Sequence, residues 1–165
     1  MGNIGNTVKL VVFQILGVFF FSGVGSSFFG FYHSDVLECF AKSGAGADCF
    51  RLLPAGYTLG KFMTEQANAF LYGIVFGFVL VAVINLAKKK SILNLILVVG
   101  LTVLLFFIGF YKLSRTTDNW FKSFGGLFTE SIGTANLIAA IAYFVLGSVC
   151  IWLSVKTFSR KKKVA

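Results

Sequence analysis

Residues 70–112 read FLYGIVFGFVLVAVINLAKKKSILNLILVVGLTVLLFFIGFYK, and this stretch decides the fold. Two runs without a charged residue, 66–87 and 91–111, flank Lys88, Lys89 and Lys90. A helix rises about 1.5 Å per residue and the hydrocarbon core is about 30 Å thick, so roughly 20 residues span it. Each run therefore fits one crossing, and the three lysines form so short a turn that the two helices must pair as an antiparallel hairpin. A membrane strand needs only about 9–11 residues and alternates apolar with polar, whereas these runs are apolar all round. Helix also satisfies every backbone amide internally, which lipid requires.

Working outward, 10–34 and 131–155 are likewise free of charge. A charged residue near a helix centre costs about 2.5–3.5 kcal/mol on insertion scales, which accounts for the gaps. The expectation is an all-α integral membrane protein: one domain over 1–165, a four-helix bundle with helices near 8–31, 67–87, 91–112 and 135–155, and outer loops near 32–66 and 113–134. Composition agrees, with 57% apolar and only 13% charged residues against about 25% charged in soluble domains. That excludes an ordinary soluble enzyme, a disordered tail and a disulfide-dense toxin.

Four crossings place both termini on one side. That side holds Lys9, Lys88, Lys89, Lys90, Lys156, Arg160, Lys161, Lys162 and Lys163, with no acid. The other side holds Lys42, Arg51, Lys61, Lys112, Arg115 and Lys122, balanced by Asp35, Glu38, Asp48, Glu65, Asp118 and Glu130. The whole net charge of +9 thus lies on one face, and the positive-inside rule makes that face cytoplasmic. The charge is read as a topology determinant that meets anionic lipid headgroups, not as a nucleic-acid patch. The expected location is a multi-pass position in the plasma membrane. The segment VKLVVFQILGVFFFSGVG before Ser26 and Ser27 has features of a signal peptide. Its uncharged run exceeds the usual apolar region of about 7–15 residues, so it is read as a retained crossing.

Small residues four apart let helix backbones approach closely. Gly73 and Gly77 stand so on helix two, Gly23 and Ser27 on helix one (with Ser22, Ser26 and Gly30), and Ala135 and Ala139 on helix four. Gln14, Asn85, Asn94, Thr102 and Asn136 are neutral polar residues read as interhelical hydrogen bonders. No Asp, Glu, Lys or Arg lies within the four charge-free runs, so a proton-coupled transporter is not expected.

The catalytic inventory is thin. The one histidine, His33, lies near Asp35 at the outer end of helix one, and sequence neighbours do not make a triad. No second histidine or cysteine cluster points to a metal, and no phosphate-binding loop follows a strand. A catalytic residue, metal or cofactor is therefore not expected.

Cys39 and Cys49 share the first outer loop in ECFAKSGAGADCF, and Gly44–Ala47 supply a turn between them. Both face an oxidising compartment, so a disulfide is the default reading. The rival is a redox-active pair, which usually has Cys-x-x-Cys spacing. Cys150 is read as a buried small apolar residue.

The layout resembles the superfamily of claudins, peripheral myelin proteins and epithelial membrane proteins. The resemblance is carried by the cysteine pair, by Asp35-Val36-Leu37-Glu38-Cys39 and Asp48-Cys49-Phe50, by Leu52-Leu53-Pro54 before helix two, and by Asp118-Asn119-Trp120 after helix three. The tryptophans of that family's loop signature do not precede Cys39. The resemblance implies a cell-surface tetraspan with a small disulfide-pinned outer cap containing a few β-strands. In it Cys39 and Cys49 are structural, and Phe40, Lys42, Asp48, Phe50, Arg51 and Trp120 are contact candidates. The function expected is non-enzymatic adhesion, barrier formation or scaffolding, with the bilayer, other membrane proteins or a second copy as partners. Two alternatives stand beside it: an accessory subunit of a larger membrane complex, and a membrane thiol–disulfide oxidoreductase.

Overall fold

The computed structural model describes residues 2–44, 47–87, 92–105, 108, 119–120 and 122–159. Lys88, Lys89, Lys90, Lys112, Arg115, Asp118, Arg160, Lys161, Lys162 and Lys163 lie outside the described residues, as does most of the second outer loop up to residue 118. Among the described residues the chain is helical and contains no strand. The elements are α1 (Gly2–Tyr32), α2 (Ser34–Ser43), a 3₁₀ turn (Ala47–Leu52), α3 (Leu59–Ala87), α4 (Ile92–Leu105) and α5 (Ile132–Ser159). Three of them, α1, α3 and α5, are long and apolar enough to cross a membrane, and α4 is a shorter apolar helix.

The long helices run further than their charge-free windows. α3 begins at Leu59 rather than near 67, so Lys61 and Glu65 stand in its first two turns. Charge limits what lipid tolerates, not where a helix ends. Thr58 caps α3, its side-chain oxygen accepting from the Lys61 N–H at 3.3 Å, and Ser131 caps α5 in the same way through the Thr134 N–H. Such caps satisfy amide donors that the first turn leaves open.

α1 is the hub. It packs most extensively on α5, next on α3, and more lightly on α4. Along its length Gly17, Gly23 and Gly30 face Ile151, Tyr143 and Asn136 in turn, so α5 runs antiparallel to it. On its other side Val18, Phe21 and Gly25 meet Gly77, Gly73 and Ala69, so α3 is antiparallel as well. Consequently the start of α1 and the end of α5 lie together, and Asn6 and Lys9 share a cavity with Lys156 and Thr157. The opposite end carries α2 and the 3₁₀ turn; we call it the cap end.

The approach of α1 to α3 is close. A methyl at Gly73 would run into the Phe21 carbonyl, and one at Gly25 into the Ala69 carbonyl; at Gly77 it would sit 2.9 Å from the Val18 Cα. Of the expected packing residues, Gly73 and Gly77 therefore seat α3 on α1, Gly23 lies under the Tyr143 ring of α5, and Ser27 is fully buried. Gly25 is an equal partner in the α1–α3 contact. Apolar side chains complete the seam, with Val11, Val18, Phe21, Val81, Val98 and Ile151 forming the main core.

α4 uses one narrow stripe. Asn94, Val98 and Thr102 are buried, while Leu93, Ile96, Leu101 and Leu104 face outward. The outer faces of α3 and α5 are similarly apolar, with Leu71, Val75, Val79, Ile141, Val145 and Trp152 exposed. Water does not suit so continuous an apolar surface.

Replacing Gly73 by Ala is expected to destabilise the helical assembly by about 1–3 kcal/mol, the usual range for overpacking. Gly100, with open space around it, tolerates Ala within about 0.5 kcal/mol. Unfolding of the two variants in one detergent compares them directly.

Candidate functional site

The cap end brings together the disulfide, the aromatic cluster and most of the described titratable residues. α1 breaks at His33, whose backbone (φ −106°, ψ 29°) turns the chain into α2. In α2 the apolar Val36, Leu37 and Phe40 fall at helical spacing and face inward, while Asp35 in the first turn and Lys42 in the last suit the helix dipole. This amphipathic pattern makes the segment a helix where the family resemblance implied β-strands. α2 stops at Gly44, whose φ of +77° favours glycine and whose N–H reaches the Phe40 carbonyl at 3.0 Å. The 3₁₀ turn then returns Cys49 to Cys39.

The two cysteines are bonded, with a Cα–Cα distance of 5.6 Å, within the ordinary span of about 4.4–6.8 Å. Cys49 is 1% exposed. Ser43 donates to the Cys39 carbonyl at 2.8 Å and lies 3.5 Å from each sulfur. Cys150 is free and buried.

Phe40 and Phe50 both turn under the cap. Their rings meet edge to face at 5.3 Å, and each meets Phe62 of α3, at 5.6 and 6.3 Å. Phe62 in turn meets Phe29 of α1 at 5.0 Å. Edge-to-face pairs add about 0.5–1.5 kcal/mol beyond area burial. The cap is thus bolted to the ends of α1 and α3 by rings as well as by sulfur. On the outside remain Lys42, Asp48 and Arg51, all exposed. Arg51 and Asp48 form an ion pair at 3.3 Å with both side chains over 80% exposed, an arrangement of little energetic weight. Trp120 is 77% exposed.

Beneath α2 lies a polar pocket of about 380 Å³ lined in part by His33, Asp35, Pro54, Tyr57 and Glu65. The Tyr57 hydroxyl donates to the Glu65 Oε2. The same oxygen lies 3.9 Å from His33 Nε2. His33 is buried between the rings of Phe29 and Phe62, centroids at 4.5 and 5.5 Å, with Tyr32 at 5.0 Å. This burial pushes the imidazole below its ordinary value of 6.5, and the Glu65 carboxylate opposes the shift without overcoming it. Near neutral pH the ring is therefore neutral. No hydroxyl or thiol nucleophile is hydrogen-bonded to it among the described residues, so the group lacks the nucleophile–base geometry of covalent catalysis. Nor do three His, Cys, Asp or Glu side chains gather as a metal site among the described residues.

A second polar cluster sits between the helices. Gln14 of α1, Asn85 of α3 and Asn94 of α4 are all buried. The Gln14 Nε2 donates to the Asn85 Oδ1 at 3.2 Å, and the Asn94 Nδ2 donates to both Gln14 Oε1 and Asn85 Oδ1 at 3.1 Å. These three amides join three helices as expected. Thr102 and Asn136 instead bond their own helix, to the carbonyls of Val98 and Ile132 at 2.8 Å. A short polar side chain reaches the carbonyl four residues back more readily than it reaches a neighbour.

The sequence reading missed the meeting of His33, Tyr57 and Glu65. Nothing in their spacing reveals it, because the Pro54–Tyr57 turn, with Gly56 at φ +83°, brings Tyr57 back over α3. The helical spacing of Val36, Leu37 and Phe40 was a usable sign of α2. Comparison with known proteins finds no matching family model, no similar curated protein and no similar solved structure.

Replacing both Cys39 and Cys49 by Ser should loosen the cap by roughly 2–3 kcal/mol. Hydrogen exchange across α2 and the 3₁₀ turn should then accelerate while α3 and α5 keep their protection. His33 gives a pH dependence of definite sign. Its folded value lies below the unfolded one, so the unfolded chain takes up the proton more readily. The stability it contributes is complete above about pH 6.5 and is lost as pH falls through 6.5 towards the folded value. The drop in unfolding temperature between pH 7.5 and pH 5 should shrink in His33→Gln, with Asp35 and Glu65 common to both proteins.

Proposed function

We propose that this chain is a non-enzymatic tetraspan membrane protein, with both termini cytoplasmic, that acts at the plasma membrane through contacts of its outer cap. The observation carrying this reading is how the cap is built. A disulfide whose Cys49 is buried and four interlocked phenylalanines (29, 40, 50 and 62) pin α2 and the 3₁₀ turn to the helix ends, and Lys42, Asp48 and Arg51 are left exposed on them. A pinned, charged surface suits recognition by a neighbouring cell, a second copy or a larger assembly. The ten-residue separation of the two cysteines, far wider than Cys-x-x-Cys, together with burial of Cys49, favours a structural bridge over a redox pair. Claudin-like adhesion, barrier formation or scaffolding fits this arrangement, with the charge-free run 91–111, which contains α4, read as the fourth crossing.

A second reading rests on the narrow packing stripe of α4. The broad apolar sides of α3 and α4 suit lateral burial against other membrane helices, as in an accessory subunit of a larger complex.

Topology and assembly are checked together. A membrane-impermeant amine reagent on intact cells should label Lys42 and Lys61 and spare Lys161–Lys163; the reverse pattern rejects the orientation. An impermeant cross-linker should then capture like-sized oligomers that disappear in the Cys39→Ser/Cys49→Ser variant, although that variant still reaches the membrane. Recovery at fixed stoichiometry with unlike subunits, unaffected by the cap variant, supports the second reading instead.

A further inference from the structure

At the end opposite the cap, the first turns of α1 and the last turns of α5 enclose a cavity of about 370 Å³, inside the range of about 300–1,000 Å³ usual for small-molecule sites. Its lining is graded. Lys9 and Lys156 are exposed, Asn6, Phe13, Leu153 and Thr157 are half-buried, and Phe13 and Leu153 lie about one helical turn nearer the middle of α1 and α5 than the two lysines. Four residues of helix rise about 6 Å, so the cationic and apolar parts are separated along the membrane normal by about the distance between a phosphate and the start of an acyl chain.

The charge is uncompensated. Among the described residues, the acids are Asp35, Glu38, Asp48, Glu65 and Glu130, and none lines this cavity. Glu65 and Asp48 are engaged at the cap end, beside His33 at 3.9 Å and Arg51 at 3.3 Å. Lys156 lies 4.9 Å over the Trp152 ring, which orients the ammonium and leaves its charge unneutralised. The Thr157 hydroxyl is committed to the Leu153 carbonyl at 2.9 Å, which leaves Asn6 as the neutral donor. Two ammonium groups and a carboxamide beside the apolar Phe13 and Leu153 match a phosphodiester carried on an acyl chain.

We propose that this cavity is a specific site for an anionic phospholipid, its phosphate held between Lys9 and Lys156 and its first methylenes against Phe13 and Leu153. The lipid then links α1 to α5 at the end where no cap does so. The site does not depend on how the cap functions.

The test uses the full chain purified in a mild neutral detergent. Native mass spectrometry compares retention of phosphatidylglycerol with phosphatidylcholine of the same chains, and thermal unfolding is followed with each lipid and with inorganic phosphate. The expected result is a preference for phosphatidylglycerol on the order of tenfold, with a rise in unfolding temperature that inorganic phosphate at equal concentration does not produce. Lys9→Gln/Lys156→Gln should erase the preference. Lys161→Gln/Lys162→Gln/Lys163→Gln, which removes the neighbouring basic tail, should keep it. Equal retention of the two lipids by the parent chain overturns the proposal. So does loss of the preference in the tail variant with its survival in the Lys9/Lys156 variant. If inorganic phosphate reproduces the whole effect, the site is one for a free anion and the lipid assignment falls. Should the double variant unfold on extraction, Lys156→Gln alone, read for preference and not for stability, decides the matter.

Discussion

Backbone-to-backbone contact between α1 and α3 is the constraint on which the remaining structure rests. Gly25 and Gly73 each face a carbonyl of the other helix at a separation that a side chain would not allow. Between helices in lipid there is little hydrophobic drive, since acyl chains are as apolar as leucine, so association draws on close packing and hydrogen bonds. Glycine supplies the first. With α3 seated on one side of α1 and α5 on the other, α1 becomes the axis of the molecule, and the two outer helices meet mainly through it. The amide cluster of Gln14, Asn85 and Asn94 supplies the second and ties α4 to the same axis.

The cap obeys a different solvent. Outside the hydrocarbon, burying apolar surface is again favourable at about 25 cal/mol per Å², and the cap exploits this with Phe40 and Phe50 folded onto Phe29 and Phe62. So small a core is marginal alone, and a covalent bridge is the usual supplement. The chain thus holds itself together by close backbone approach in one half and by ring burial with sulfur in the other. Phe29 belongs to both, since it lies on α1 and packs into the cap.

Polar groups divide along the same line. In the helical region the buried ones are neutral amides and hydroxyls that bond one another or their own helix's carbonyls, and the Asn94 and Asn136 Oδ1 atoms find no partner among the described residues. At the cap end they are ionisable, and His33 is held neutral by the rings around it. Buried His33 therefore sits where the cap joins the helices.

Much of this was legible along the chain. The charge-free windows mark where helices tolerate lipid, the glycine pair of α3 marks its packing face, and Cys39 and Cys49 mark the bridge. These are properties of single segments, and a segment's own chemistry determines them. Tertiary structure decided which segments meet. A helix apolar on every side carries no sign of which face turns inward, so neither the hub role of α1 nor the part played by Gly25 follows from its pattern. The trio of His33, Tyr57 and Glu65, and the cavity between Lys9 and Lys156, depend on how far each helix is rotated about its axis and where each turn returns the chain. Those rotations are set by the fit of neighbouring surfaces, which exists only once the helices are packed.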